Sequence, residues 1–206
     1  MTPNIKIANA AMAEARAIIA QGGLVAFPTE TVYGLGADAT NDAAVAAIFD
    51  TKKRPAFNPL IVHFANCEML APHVIMTDLA TSLADAFWPG PLTLVLKRAP
   101  DTPISKLVSA GLETMAVRVP KHPIAQSLIR ACNTPIAAPS ANRFGDISPT
   151  RAEHVAASLG DGKALILDGG QTDIGIESTV IDLSENTPTL LRPGFVTQEM
   201  IEQVRS

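Results

Sequence analysis

Short apolar runs of strand length alternate with Ala-rich or amphipathic stretches along almost the whole chain, and this alternation restricts the fold more than any other feature. The runs are LVAF (24–27), LIVHF (60–64), PGPLTLVLK (89–97), MAVRVP (115–120), PIAAPSA (135–141), ALILD (164–168), STVIDL (178–183) and TLLR (189–192). Between them the pattern predicts helices over 11–21, stopped by Gly22-Gly23, and over 42–53, capped by Asn41 or Asp42. Further helices are predicted over 77–87, 122–132, 148–160 and 197–205, the fifth with Ser148-Pro149-Thr150 as its cap region and Gly160 as its stop. Strands alternating with helices predict an α/β domain, and the two closing strand pairs a mixed sheet. With 206 residues and no repeat, low-complexity tract or linker, the expectation is a single domain over 1–206, without a second.

Net charge of -4 and a charged fraction of 17% argue against a broad cationic surface for a polyanion such as RNA. Cys67 and Cys132 have no C-x-x-C or Cys/His spacing, and read as two reduced, mostly buried thiols. Glu14 and Arg16 interrupt the N-terminal apolar run, which excludes a signal-peptide core, and no run approaches the ~20 apolar residues of a membrane helix. A soluble cytoplasmic protein is expected.

Gly34-x-Gly36-x-x-Ala39 fits a dinucleotide-binding pattern, but Pro28 to Tyr33 intervene between the strand and the first glycine, which rules against that turn. Lys52, Lys53 and Arg54 end a helix and precede a Pro-bracketed turn with Asn58. They suit either the helix dipole or an anion site, and Arg54 can hold phosphate oxygens with two hydrogen bonds. His63 in its apolar strand reads as a hydrogen-bonded core residue. Arg118 on a core strand needs an acceptor, either a protein carboxylate or a ligand. The loop 138–150 offers Ser140, Asn142 and Ser148, the segment 168–183 is similar, and Arg192 ends a strand. Glu30, Asp168, Asp173 and Glu177 can serve as oxygen ligands to a metal or as turn and surface groups. The residues by themselves define a nucleotide- or phosphate-handling α/β protein.

The ordered blocks FPTETVYGLGADA, KKRPAFNPLIVHF, WPGPLTLVL, VRVP, PSAN, ESTVIDL and LLRPG, over roughly 15–195, resemble the YrdC-like threonylcarbamoyl-AMP synthases. The resemblance implies a YrdC-like open twisted mixed α/β sheet flanked by helices, around a positively charged cavity. It implies a cytoplasmic nucleotidyltransferase that makes L-threonylcarbamoyladenylate and pyrophosphate from L-threonine, bicarbonate and ATP with Mg2+. A partner transferase would use that product to form N6-threonylcarbamoyladenosine beside the anticodon of tRNA. Carried onto this chain, the family signatures assign catalysis to Lys52 and Arg54 and threonine binding to Thr31, Tyr33, His63, Arg118, the Ala138 backbone and Ser178. They assign nucleotide binding to Lys52, Arg54, Asn58, Thr114, Ser140, Asn142, Ser148 and Arg192, and leave the metal ligands unassigned. In this reading the acceptor of Arg118 is the amino acid carboxylate, and Thr31 and Tyr33 turn inward. Longer members continue into a second domain, so the chain is expected to be either a short-type enzyme or a truncated one. Two alternatives share the resemblance: a non-catalytic double-stranded RNA or tRNA-binding module, disfavoured by the charge, and a carbamoyl-adenylate domain of hydrogenase-maturation type, disfavoured by the missing C-x-x-C pairs.

Overall fold

The computed structural model describes residues 4–160, 162–185 and 187–205. The chain begins with strand β1 (Ile5–Ile7) and helix α1 (Ala8–Ala20), then forms a hairpin of β2 (Val25–Pro28) and β3 (Tyr33–Asp38). Helix α2 (Asp42–Lys52), β4 (Ile61–His63), α3 (Cys67–Leu70) and α4 (Asp78–Phe87) follow, then β5 (Leu92–Lys97) and β6 (Thr114–Arg118). Helix α5 (Pro123–Cys132), β7 (Ile136–Ala137), α6 (Ala152–Leu159), β8 (Leu165–Asp168), β9 (Thr179–Asp182), β10 (Thr189–Arg192) and α7 (Gln198–Arg205) complete it.

All ten strands join one sheet in the order β1-β8-β2-β3-β7-β4-β6-β5-β9-β10. Four pairings are parallel (β1/β8, β2/β8, β4/β6, β5/β9) and the others antiparallel, so the sheet is mixed, as the closing strand pairs predict. Helix starts follow their caps: Asn41 Oδ1 accepts from the Ala44 amide at 3.2 Å and Thr77 Oγ1 from the Ala80 amide at 3.2 Å.

Strand alternation divides the core between two faces. Ala26, Val62, Leu94, Val117 and Ile181 pack with α2, α4 and α6 on one face. Val25, Phe27, Ile136 and Leu165 pack on the other against α1 and α5. Those two helices cover only the β1–β7 half of their face. Over β4, β6, β5 and β9 the same face carries no helix among the described residues, and the side chains that alternate with Val62, Leu94, Val117 and Ile181 are left to line a cavity.

Gly34 and Gly36 belong to β3, in keeping with the rejection of a dinucleotide-binding turn, and a Cβ on Gly36 would lie 2.6 Å from Phe27 Cε1 and 2.8 Å from Ile136 Cγ2. Glycine here answers to packing across the sheet. Three details differ from expectation. Helix α6 starts after Arg151 with no side-chain cap, because residues 148–150 are engaged elsewhere: Pro149 O accepts from the Tyr33 amide and Thr150 O from the Thr172 amide. Residues 5–7 pair with β8 as a short edge strand that the sequence pattern does not announce. Cys67 is exposed and Cys132 half-buried, so the two free thiols are not core residues.

Candidate functional site

The cavity holds about 370 Å3, within the range of small-molecule clefts. Register builds its floor: Ile61 faces Ala116, Ala116 faces Val95, and Val95 faces Asp182, one row across four strands. His63 opposite Arg118 begins the next row. On β6, Thr114, Ala116 and Arg118 therefore point into the cavity while Met115 and Val117 enter the core.

The β2–β3 turn forms one wall. Thr29 closes it with its hydroxyl, which donates to Val32 O at 2.6 Å and accepts from the amides of Thr31 and Val32, both at 3.2 Å. Thr29 and Thr31 share a further hydroxyl contact at 2.8 Å, and both line the cavity. This explains why a buried apolar strand opens into polar residues: the hydroxyls saturate a buried turn and face the cavity at once.

Arg118 enters the same corner. Its Nη2 donates to Glu30 Oε1 at 2.6 Å, Nη1 to Thr31 Oγ1 at 3.0 Å and Nε to Gly90 O at 3.1 Å. A protein carboxylate is thus one acceptor, the first of the two options the sequence leaves open. Three of five N–H groups are engaged, and two remain. His63 lines the cavity beside it, with a buried Nδ1 that has no partner. It is buried, as expected of a histidine in an apolar strand, and it also lines the cavity. Burial, and then the charge of Arg118, push its pKa down to about 3, so the imidazole is neutral.

Arg54, Asn58, Thr114, Ala138, Ser140 and Arg192 also line the cavity. Lys53 adopts a left-handed conformation (φ 52°) after α2 and turns the chain, and Arg54 Nε and Nη2 then donate to the carbonyls of Asn58 at 3.2 Å and Pro59 at 3.0 Å. The Pro-bracketed turn braces the guanidinium toward the cavity. Ser178 shares a hydroxyl contact with Thr93 at 2.7 Å and accepts from Arg192 Nη2 at 3.1 Å.

Four residues expected in the site lie outside the cavity lining. Tyr33 alternates with Gly34 and so points to the opposite face, where its hydroxyl donates to Gly170 O at 2.7 Å and accepts from the Gly169 amide at 3.2 Å. Lys52, 1% exposed, lies beneath the loop after β7 and donates to the carbonyls of Ser140 and Asn142. Burial first, and Arg54 second, lower its pKa to about 8. Asn142 donates to Arg143 O at 2.9 Å and Asp146 O at 2.8 Å, which shapes that loop. Ser148 donates to Glu177 Oε1 at 2.9 Å, one bond from the lining.

Sequence reasoning missed Thr29 and Asp182 as lining residues and read Glu177 as either a metal ligand or a turn or surface group. The repeated Thr-x-Thr at 29–31 is the signal that could have found the first. Among the described residues, no group of three or more His, Cys, Asp or Glu side chains gathers as a metal cage. Glu177 and Asp182 are the carboxylates of the cavity lining.

Fold and cavity define an open-sheet α/β protein that gathers guanidinium, hydroxyl and amide donors around one small cavity. The chain belongs to the Sua5/YciO/YrdC family, described as "Telomere recombination", which matches residues 17–194. It is 52% identical over 199 residues to the threonylcarbamoyl-AMP synthase of Bacillus subtilis, covering 94% of this chain and 56% of that protein. Pyrococcus abyssi Sua5 complexed with L-threonine superposes with a TM-score of 0.90 at 52% identity, over 94% of this chain and 56% of that one. Escherichia coli YciO superposes with a TM-score of 0.80 at 26% identity, over 94% and 93% of the two chains. The chain spans about half the length of the two synthase relatives. Among the described residues, no helix is long and apolar enough to cross a membrane.

Proposed function

We propose that this domain forms L-threonylcarbamoyl-AMP and pyrophosphate from L-threonine, bicarbonate and ATP. The observation that carries the reading is the gathering of donors in one cavity lining: Thr31, Arg118 and Ser178 together with Arg54, Asn58, Ser140 and Arg192. The relatives named as threonylcarbamoyl-AMP synthases, and the Sua5 structure with L-threonine, support bringing this chemistry to the chain.

In the proposed reaction the threonine amine and bicarbonate give a carbamate with loss of water. A carbamate oxygen then attacks the α-phosphorus of ATP, forming a P–O bond as the bond to pyrophosphate breaks. Two free N–H groups on Arg118 would take the threonine carboxylate, and neutral His63 can accept a hydrogen bond from the substrate without adding a charge. Arg54 and Arg192, fixed by backbone carbonyls and Glu177, would meet the phosphates and stabilise charge on the leaving group. No covalent intermediate with the chain is required; positioning supplies the rate.

Mg2+ fits a cavity without a protein cage, since this ion is commonly held by one or two carboxylates and the substrate phosphates. Asp182 is the residue that would hold it, since both oxygens of Glu177 are taken by Arg192 and Ser148. When bound it would screen the phosphate charge. We further infer a cytoplasmic setting, which the two free thiols favour, and a downstream transferase that passes the product to tRNA.

Pyrophosphate release by the purified chain with ATP, Mg2+ and bicarbonate tests the reading. Release is expected with L-threonine and not with L-serine or without bicarbonate, and Arg54→Ala should lose it while keeping a normal melting curve. Release that ignores threonine, or no binding of threonine and ATP in calorimetry, overturns the reading.

A further inference from the structure

A carboxylate within a cavity that receives a polyanion carries an electrostatic cost, and Glu177 stands in that position, paired with the cavity cation Arg192. Its Oε2 accepts from Arg192 Nη1 at 2.5 Å, and its Oε1 accepts from Ser148 Oγ at 2.9 Å. Arg192 is fixed further by donation from Nε to Ser178 O at 3.0 Å and from Nη2 to Ser178 Oγ at 3.1 Å. Strands β9 and β10 and the loop before α6 therefore meet at one carboxylate. Ser148 is not spent on the helix that follows, which has no side-chain cap.

Two roles make opposite demands. A competitor for the phosphates would be improved by removal, since the cavity would gain net positive charge. An organiser would be damaged, since Arg192 and Ser148 would lose the group that fixes their separation. With three of its N–H groups engaged, the Arg192 guanidinium keeps two for a ligand, and their direction is set by the bonds already made.

We propose that Glu177 is a positioning residue: it holds Arg192 and Ser148 in one arrangement so that their remaining donors meet the nucleotide phosphates. The proposal rests on the nucleotide reading of the site given above. Its side chain is 37% exposed, so a substitution removes a connection without opening a void in the core.

Calorimetry with ATP and with L-threonine, and the KM of each in pyrophosphate release, should be compared for the wild-type chain, Glu177→Ala and Glu177→Gln. Glu177→Ala is expected to weaken ATP about tenfold while leaving L-threonine within about twofold. Glu177→Gln keeps an acceptor oxygen for Ser148 and should recover part of the loss. Unchanged or tighter ATP binding by both variants overturns the proposal, as does an equal loss of both ligands that follows a lowered melting temperature. Failure of the wild-type chain to bind ATP would overturn the nucleotide reading itself, and is seen before any variant is compared.

Discussion

Arg118 on β6 and Glu30 in the β2–β3 turn form an ion pair at 2.6 Å whose side chains are only 4% and 7% exposed. Both carboxylate oxygens are used, since Glu30 Oε2 accepts from the Lys121 amide at 3.0 Å. The pair joins two strands that are not neighbours in the sheet, and it fixes the corner of the cavity where Thr31 and His63 lie.

Removing Glu30 would strand a guanidinium away from water. Glu30→Ala is expected to cost about 3–5 kcal/mol in urea unfolding, and the Glu30→Ala/Arg118→Ala pair less than the sum of the single losses. A single loss below about 1 kcal/mol, the size of an exposed pair, would show that the pair opens to solvent.

His63 sets an acid limit. Its folded pKa of about 3 lies below the ordinary value of 6.5, so the unfolded chain binds a proton that the folded chain refuses. The stability it supports is complete above pH 6.5 and is lost progressively as pH falls toward 3. Between pH 6.5 and 5, before carboxylates dominate, the slope from one such group approaches about 1.4 kcal/mol per pH unit. His73 and His122 are also lowered by burial and add to the slope. His63→Gln should therefore flatten the stability–pH curve by one proton's share; an unchanged slope would place the imidazole in water.

The alternation that frames the sheet was legible because apolar strands and capped helices are written locally, as at Asn41 and Thr77. The mixed sheet was legible in the two closing strand pairs, and the open sheet around a cavity only through the family resemblance. What stayed hidden was determined by pairs distant in sequence. Tyr33 looks like a site residue beside Thr31, yet strand alternation at a β3 that glycines disguise turns it to the other face. Lys52 and Arg54 look equivalent in a cationic run, yet the left-handed Lys53 between them sends one beneath a loop and the other to the cavity. Arg118 could have met a ligand or a protein acid, and only the folded turn brings Glu30 within reach.

Lys52 supports the loop after β7, and its loss should be felt there first. Lys52→Ala removes the donor to the Ser140 and Asn142 carbonyls, at about 1–3 kcal/mol. Amide hydrogen exchange over 140–146 should rise while the helix α4 is unaffected. Faster exchange confined to the loop separates this role from direct phosphate contact, in which ATP affinity would fall and loop exchange would not change. Because burial lowers the ammonium to about 8 from the ordinary 10.5, the folded chain gives up this proton first, and stability from this group rises between pH 8 and 10.5. Lys52→Met should remove that rise.

Gly194, just after β10, has its site consequence through backbone. A Cβ there would stand 2.5 Å from the Thr179 amide nitrogen, 2.7 Å from Glu177 O and 2.8 Å from the Ser178 carbonyl carbon. None of these atoms is the end of a flexible side chain, so the start of β9 must move, and Glu177 and Ser178 move with it. Gly194→Ala is expected to cost about 1–3 kcal/mol of stability and to weaken both ATP and L-threonine. Gly111→Ala provides the contrast: its φ of 80° strains an alanine, but nothing lies within 4 Å of the added carbon. That variant should lose about 1 kcal/mol or somewhat more and bind both ligands as the wild type does. Equal ligand affinities in the two variants would mean that the Glu177–Ser178 backbone tolerates displacement, and that the cavity is less rigid than its hydrogen bonds imply.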